Sequence, residues 1–236
     1  MQKLKIIVEG ETINLCQPTK EFAGGDIWYK WINNPVINKQ LLKKYRKFKN
    51  TKKKQIKFFL DLKKNRRKIF IISSKNHIYK GVVSLSKIDK AKKICDIALI
   101  SDTKIDPLLG PYAGLEAIAL ISNYAFTKLK LKKIYGGGLI ALKNWQQRME
   151  LIGFKLNDLQ KKNEVKSYTA LKNPSYLVSL SYEDFIILKK KRGRIWDNLN
   201  LMKKRISKLP KKSFFNILDN FLTKDKKKYY DKLFKL

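Results

Sequence analysis

Asp106-Pro-Leu-Leu-Gly110-Pro-Tyr-Ala-Gly114-Leu115-Glu-Ala-Ile-Ala-Leu-Ile-Ser-Asn-Tyr-Ala-Phe126 joins a glycine- and proline-rich segment to an apolar run. Gly110 and Gly114 bracket a tight loop, and Leu115, Ile118, Ala119, Ser122 and Phe126 then fall at helical spacing on one face. A glycine loop that opens directly onto a helix is a ready anion site, because first-turn N–H groups and the positive dipole end both point at the ligand. The same residues also suit a Pro-Gly loop that merely starts a buried helix, and the loop alone leaves both readings open.

Working outward, residues 94–100 are β-rich, as are 68–73 and 80–86 around the hairpin-like Ser74-Lys-Asn76. Three consecutive antiparallel strands are expected there. Downstream, a basic link over 128–133 leads into Ile134-Tyr135-Gly-Gly-Gly138, a short strand over 133–138. A helix over 144–151 follows, with Gly153 as its C-terminal stop. Residues 167–171 and 177–188 are read as completing the sheet. Toward the N-terminus, residues 11–17 form a first strand ended by Pro18. A helix over 21–32 carries Trp28, Trp31 and Ile32 on one side and stops at Trp31-Ile-Asn-Asn-Pro35, since the residue before proline resists helical geometry. A second helix is read over 55–63, with Ile56, Phe59, Leu60 and Leu62 as its apolar residues.

From residue 94 to Phe154 the series is strand, glycine loop, helix, short strand, and a helix ending in Gly-Phe. That series resembles the acetyl-coenzyme A core of the GNAT N-acetyltransferases, in which a Q/R-x-x-G-x-G/A loop holds the pyrophosphate. Asn144 and Gly153-Phe154 match the family's later segment. In the loop only Gly114 falls on a motif position, with Leu109 in place of the Q/R and Tyr112 in place of the middle glycine. Gly110 and Glu116-Ala117 match the wider pattern of relatives that act on sugars and protein N-termini. The likeness covers roughly residues 10–185.

The resemblance implies an α/β fold: a mixed, mainly antiparallel sheet with helices on both sides, here with a basic helical C-terminal extension. It implies acetyl-CoA as co-substrate, held by Gly110, Pro111, Tyr112, Ala113, Gly114, Leu115 and Asn144. Backbone N–H groups around Ala98, Leu99 and Ile100 would polarise the thioester, beside a pantetheine slot formed with the 133–138 strand. Acetyl transfer to an amine otherwise needs only juxtaposition, removal of the amine's proton and support of the developing oxyanion. Many relatives protonate the leaving thiolate with a tyrosine four residues before the Gly of Gly-Phe. Met149 stands there and cannot do so, which leaves Tyr112 and Tyr135 as substitute acids, although a packing role suits each of them taken alone. Asp96 occupies the strand where relatives often place a carboxylate base, a position that equally suits a strand-surface charge. The Trp-x-Asn-x-Pro segment marks the acceptor side, with Trp28, Trp31 and Arg46 as substrate-binding candidates; a core tryptophan before a turn fits the same letters.

Ile100-Ser-Asp102, Gly114-Leu-Glu-Ala117 and Asn123-Tyr-Ala-Phe126 look most like enzymes that acetylate UDP-linked 4-amino-sugars in the pseudaminic-acid pathway. The acceptor implied is therefore a nucleotide-linked amino-sugar for surface or flagellar glycans. Acetylation of protein N-termini, or a GNAT-like fold that has lost catalysis and binds RNA or a partner, are the alternatives.

Composition bounds these readings. The chain has 236 residues, 44% of them hydrophobic, which suits one ordinary domain with an appendage. Its formal net charge is +35. Arginine is confined to positions 46, 66, 67, 148, 192, 194 and 205, and the rest of the excess is lysine scattered through every segment. Dedicated phosphate readers favour arginine's planar fork, so nucleic-acid binding is expected to be at most weak and non-specific. Cys16 and Cys95 read as buried free thiols in a reducing compartment. One histidine and two distant cysteines give no zinc spacing, so no metal is expected. No apolar run approaches the ~20 residues of a transmembrane helix, and a cytoplasmic protein is expected.

The domain boundary is read at 188/189. Residues 189–194 form a charged link to a tail in which Trp196, Leu199, Met202 and Ile206, then Phe214, Ile217, Leu218 and Phe221, recur at helical spacing. Such a tail could pack back on the core, form a homodimer contact or lie on a membrane surface, with packing the default.

Overall fold

The computed structural model describes residues 3–35, 37, 49–62, 64–101, 110–139, 145–159 and 175–209, in two compact units, 1–134 and 135–236. The first unit holds β1 (Ile6–Glu9), β2 (Ile13–Cys16), α1 (Lys20–Gly24), α2 (Asp26–Asn33), α3 (Lys52–Leu60), β3 (Lys68–Ser74), β4 (Tyr79–Asp89), β5 (Ile94–Ser101) and α4 (Gly110–Thr127). Its strands pair in chain order, β1 to β5, each antiparallel to the next.

The strands β2, β3 and β4 are buried on both faces, which is why they read as nearly continuous apolar runs rather than alternating ones. On one face Cys16, Ile69, Ile71 and Val82 join Trp28, Trp31 and Tyr79 in a core cluster, with Phe22, Phe58 and Ile100 packed against it. On the other, Phe70 meets Tyr124 of α4 edge-on, with ring centroids 5.1 Å apart. Ile71, Ile72, Leu85 and Leu115 are fully buried, and each such side chain stabilises the fold by about 1.5–3 kcal/mol. The β3–β4 turn closes with Ser74 N donating to Ile78 O at 2.8 Å and Ile78 N donating to the Ser74 hydroxyl at 3.0 Å. His77 takes a left-handed φ of +58° there, so the single histidine is a turn residue.

Local chemistry moves several expected boundaries. The helix expected over 21–32 is two helices, broken at Gly25, whose backbone is extended. Thr19 caps the first by accepting from Phe22 N at 3.1 Å. The helix α3 begins three residues before its expected start, because the Thr51 hydroxyl caps it by accepting from Lys54 N. The strand β1 was not expected at all. Its four residues, preceded by Lys3 and Lys5, show no pattern until paired with β2.

The second unit contains most of β6 (Lys133–Leu139), then α5 (Trp145–Leu151), β7 (Lys155–Leu159), β8 (Ser175–Ser181), α6 (Tyr182–Arg192) and α7 (Leu199–Ser207). Its strands lie in the order β6-β8-β7, with β7 and β8 antiparallel. Residues 177–188, expected as one strand, are strand only to Ser181. There the Ser181 hydroxyl accepts from Asp184 N at 3.0 Å, and Glu183 and Asp184 in the first turn favour a helix start. The boundary expected at 188/189 therefore falls inside α6. Lys189, Lys190, Lys191 and Arg192 are its last turn, where cations complement the dipole, and Gly193 ends it at φ +74°. Beyond it Ile195, Trp196, Met202 and Leu209 are buried. The segments expected over 167–171 and 214–221 lie outside the described residues.

Candidate functional site

The site is built on α4 and the strand before it. The helix opens at Gly110, five residues before the periodicity suggested, so the loop expected between Gly110 and Gly114 is the first turn and a half of a helix. Proline is tolerated in a first turn because its missing N–H has no helical partner to lose. Gly114 is thus an interior, buried helical position whose N–H belongs to the helix ladder. Any anion held here meets the end of the helix at Gly110 and Tyr112, while Pro111 contributes no N–H. The first turn carries no acidic residue. Tyr112 is half-buried, and Ala113, Gly114 and Leu115 are buried.

One turn further on, Glu116 is completely buried and fastens α4 to the β1–β2 turn. Its carboxylate accepts from Glu11 N at 2.5 Å, from Thr12 N at 3.2 Å and from the Thr12 hydroxyl. Burial pushes its carboxyl above the ordinary range, against the pull of those hydrogen bonds. Gly10 is required beside it, since a Cβ there would stand 2.5 Å from the Glu116 carboxylate. Nothing in the sequence pointed to this anchoring role, because the partners of Glu116 lie more than a hundred residues away.

Along β5, Ala98, Leu99 and Ile100 pair with Ser84, Val83 and Val82 of β4. Successive N–H groups of a strand point to opposite edges, so either Leu99 alone or Ala98 with Ile100 can aim away from β4. At the strand's end Gly81 pairs with Ser101 at φ +157°, and a Cβ on Gly81 would collide with the Ile100 carbonyl. Glycine there lets β4 press against the last turn of strand before α4.

Asp96 lies elsewhere. It sits five residues upstream of Ser101, about 17 Å along an extended strand. Its carboxylate pairs with Lys87 at 2.6 Å on the surface. That pairing makes it the strand-surface charge that its position in the strand equally suited. Trp28 and Trp31 are only 1% and 3% exposed, packed with Phe22, Phe58 and Tyr79. They form the core beneath the segment that ends at Pro35 rather than an open wall. After Trp31, it is Asn33 that ties the segment down. Its side chain accepts from Asn50 N at 2.9 Å and donates to Asn50 O at 3.1 Å. Arg46, Asn144 and residues 102–109 lie outside the described residues.

In the second unit, α5 ends in a two-bond left-handed cap. Phe154 N donates to Met149 O and Gly153 N to Glu150 O, with Gly153 at φ +96°. Met149 is 3% exposed, an apolar core residue at the position of the family's tyrosine. Both cysteines are buried and free. Burial pushes the Cys95 thiol up to about 12, so neither its depth nor its ionisation suits a nucleophile. Among the described residues no cluster of three metal-ligating side chains occurs, and no helix is long and apolar enough to cross a membrane.

No protein-family model matches the chain, and no curated protein matches it in sequence. Solved structures do match in fold. A spermidine N-acetyltransferase from Vibrio cholerae in complex with CoA and spermine superimposes with a TM-score of 0.60 at 13% identity, covering 74% of this chain and 98% of that one. A GNAT-family acetyltransferase from Bacillus anthracis gives 0.58 at 14% identity, covering 75% and 98%. The microcin C7 self-immunity acetyltransferase MccE, in complex with acetyl-CoA and AMP, gives 0.55 at 20% identity, covering 73% and 93%. The chain has the fold of the GNAT acetyltransferases.

Proposed function

We propose that this chain transfers an acetyl group from acetyl-CoA to a primary amine, with the N-terminal end of α4 holding the coenzyme's diphosphate. The observation that carries the reading is that helix end. It comes after β5 in the chain, begins at Gly110, and bears no carboxylate in its first turn. The same fold holds CoA or acetyl-CoA in two of the structures it resembles. Gly110 and Tyr112 supply the helix-end N–H groups. The outward N–H groups of the Ala98–Ile100 stretch polarise the thioester carbonyl. The amine nitrogen attacks that carbonyl carbon, the C–S bond breaks as the C–N bond forms, nitrogen gives up a proton to solvent and sulfur takes one up. With Met149 unable to give that proton, the Tyr112 hydroxyl is the donor we assign.

The acceptor reading is a nucleotide-linked amino-sugar. Two of the structural relatives divide on this point, one holding spermine and one holding AMP. A polyamine brings several positive charges, and a chain of net charge +35 repels it at long range. A nucleotide diphosphate carrying one amine is attracted by the same field. Buried Met149 favours one further reading, a GNAT-like protein that binds the coenzyme without turnover.

Isothermal titration with acetyl-CoA tests the first claim: micromolar binding is expected, and none at millimolar ligand sinks it. Labelled acetyl-CoA offered with a UDP-4-amino-sugar, spermidine and an N-terminal peptide tests the second. Label on the sugar is expected. Label on spermidine or peptide alone replaces the acceptor, and binding without label on any acceptor selects the non-catalytic reading.

A further inference from the structure

The last turn of α6 buries a guanidinium that is only partly used. The Arg192 side chain is 4% exposed, and its Nη1 donates to Leu151 O, the end of α5, at 2.6 Å. Its Nε and Nη2 are sealed from solvent and have no hydrogen-bond partner among the described residues. The nearby carboxylate, Asp197, is 5% exposed and is taken by Arg205 Nε, leaving Arg192 Nη1 4.0 Å from it. Among the described residues, the cluster of Arg192, Asp197 and Arg205 therefore carries two guanidinium charges against one carboxylate, a surplus of one positive charge in a buried setting. Burial and the like charge of Arg205 push the Arg192 guanidinium down to about 10, against the pull of Asp197.

The two idle nitrogens are not an arbitrary pair. Nε–H and one Nη2–H lie on the same side of the guanidinium and point in parallel, which is the fork that takes the two oxygens of a carboxylate. A buried polar group without a partner calls for a ligand, a water or a strained role, and a buried unpaired charge is among the costliest features a core can hold. One monoanion with two oxygens would fill both donors and cancel the surplus charge at once. A water could satisfy a donor but would leave the charge.

We propose that the Arg192 fork is a binding site for a small monocarboxylate, of formate or acetate size, beside the bends at residues 193–196. Entry requires those bends to open locally, since both nitrogens are sealed in the closed arrangement. The site lies in the second unit and is independent of the coenzyme reading, so either can fail alone.

The test uses the full chain and formate, with chloride at matched ionic strength to absorb the general effect of anions on a +35 protein. Thermal unfolding is followed for the native sequence, Arg192→Lys and Arg192→Met. A ligand present at 100 times its dissociation constant raises the folded-to-unfolded ratio about 100-fold. Formate is expected to raise the native protein's midpoint above chloride and to saturate in the millimolar range. Arg192→Lys, which keeps a charge but loses the fork, is expected to need at least about tenfold more formate, and Arg192→Met to lose the difference. A crystal grown with formate should show both oxygens within hydrogen-bond distance of Nε and Nη2. Equal responses to formate and chloride, or equal responses in native and Arg192→Lys protein, overturn the proposal. Two waters on the fork, or a response confined to crystallisation concentrations (an adventitious ion only), overturn it as well. The crystal carries the test should neither variant fold.

Discussion

Gly153→Ala and Gly193→Ala form a matched pair that measures what the close of α5 depends on. Both glycines end a helix with positive φ, +96° and +74°, so alanine meets conformational strain at each. For an L-residue that strain is about 1–2 kcal/mol. The surroundings differ. A Cβ at Gly193 meets nothing within 4 Å, whereas at Gly153 it stands 3.0 Å from Leu180 Cδ1 and 3.4 Å from Leu188 Cδ2. Leu180 and Leu188 are 0% and 2% exposed, so neither can swing into solvent. Forcing a methyl into such packing costs a further ~1–3 kcal/mol. Gly193→Ala is thus expected to cost about 1–2 kcal/mol and Gly153→Ala about 2–5 kcal/mol. In a chain of this size each kcal/mol moves the melting temperature by about 2–4 °C, so the pair should differ by roughly 2–12 °C. Urea unfolding of both variants reads the difference directly, with an unchanged slope expected for a change in stability alone. Equal losses would refute the reasoning, because they would mean that the packing against Leu180 is loose or the cap is not formed.

Three more outcomes follow from the site. Because burial holds the Glu116 carboxyl above its unfolded value, its contribution to stability is fully present below the unfolded pKa and is lost as pH rises through the folded one. Glu116→Gln removes that loss, so its deficit against the native protein should shrink from acid to neutral pH; parallel stability curves would contradict the buried-carboxylate account. Trp31→Ala should lower stability by about 3–5 kcal/mol as a core deletion; a normal melting temperature with a raised acceptor KM would return Trp31 to the pocket wall. Asp96→Asn should leave kcat within about twofold, since its carboxylate is held in a surface ion pair with Lys87 that contributes ~1 kcal/mol or less; a loss of ~100-fold or more would establish it as general base.

The three-strand meander was legible because β3, β4 and β5 are each built of uninterrupted β-forming residues separated by turn residues. The helix start at Gly110 was not, because Pro-Leu-Leu-Gly-Pro spells a loop by composition, and a helix that admits glycine and proline in its first turn gives no contrary signal. The run 189–194 was misread for the opposite reason. Consecutive lysines look like a solvated link, yet the helix beneath them is held by Phe185 and Leu188, which face inward one turn apart. What Glu116, Asn33 and Arg192 each hold was invisible in the sequence, since each depends on partners 17 to 105 residues away. For Asp96 and the tryptophans the sequence left two roles open, and the surface pairing of the one and the burial of the others came only with the fold. Letter patterns carry side-chain type, not which end of a strand or which depth of a cluster it occupies.

The Glu116 fastening also sets an order in time. Its partners at residues 11 and 12 precede it by 105 and 104 positions, so the β1–β2 hairpin has no anchor on α4 until that helix exists. At roughly 5–20 residues per second of synthesis, the hairpin's outer edge waits about 5–20 s after it is made. We expect the N-terminal strand to be among the last segments to become protected on a growing chain. Proteolysis of ribosome-stalled chains ending before and well after residue 127 reads this directly: cleavage within residues 3–9 should disappear only in the longer set, and early protection would show that β2 and β3 suffice to hold it.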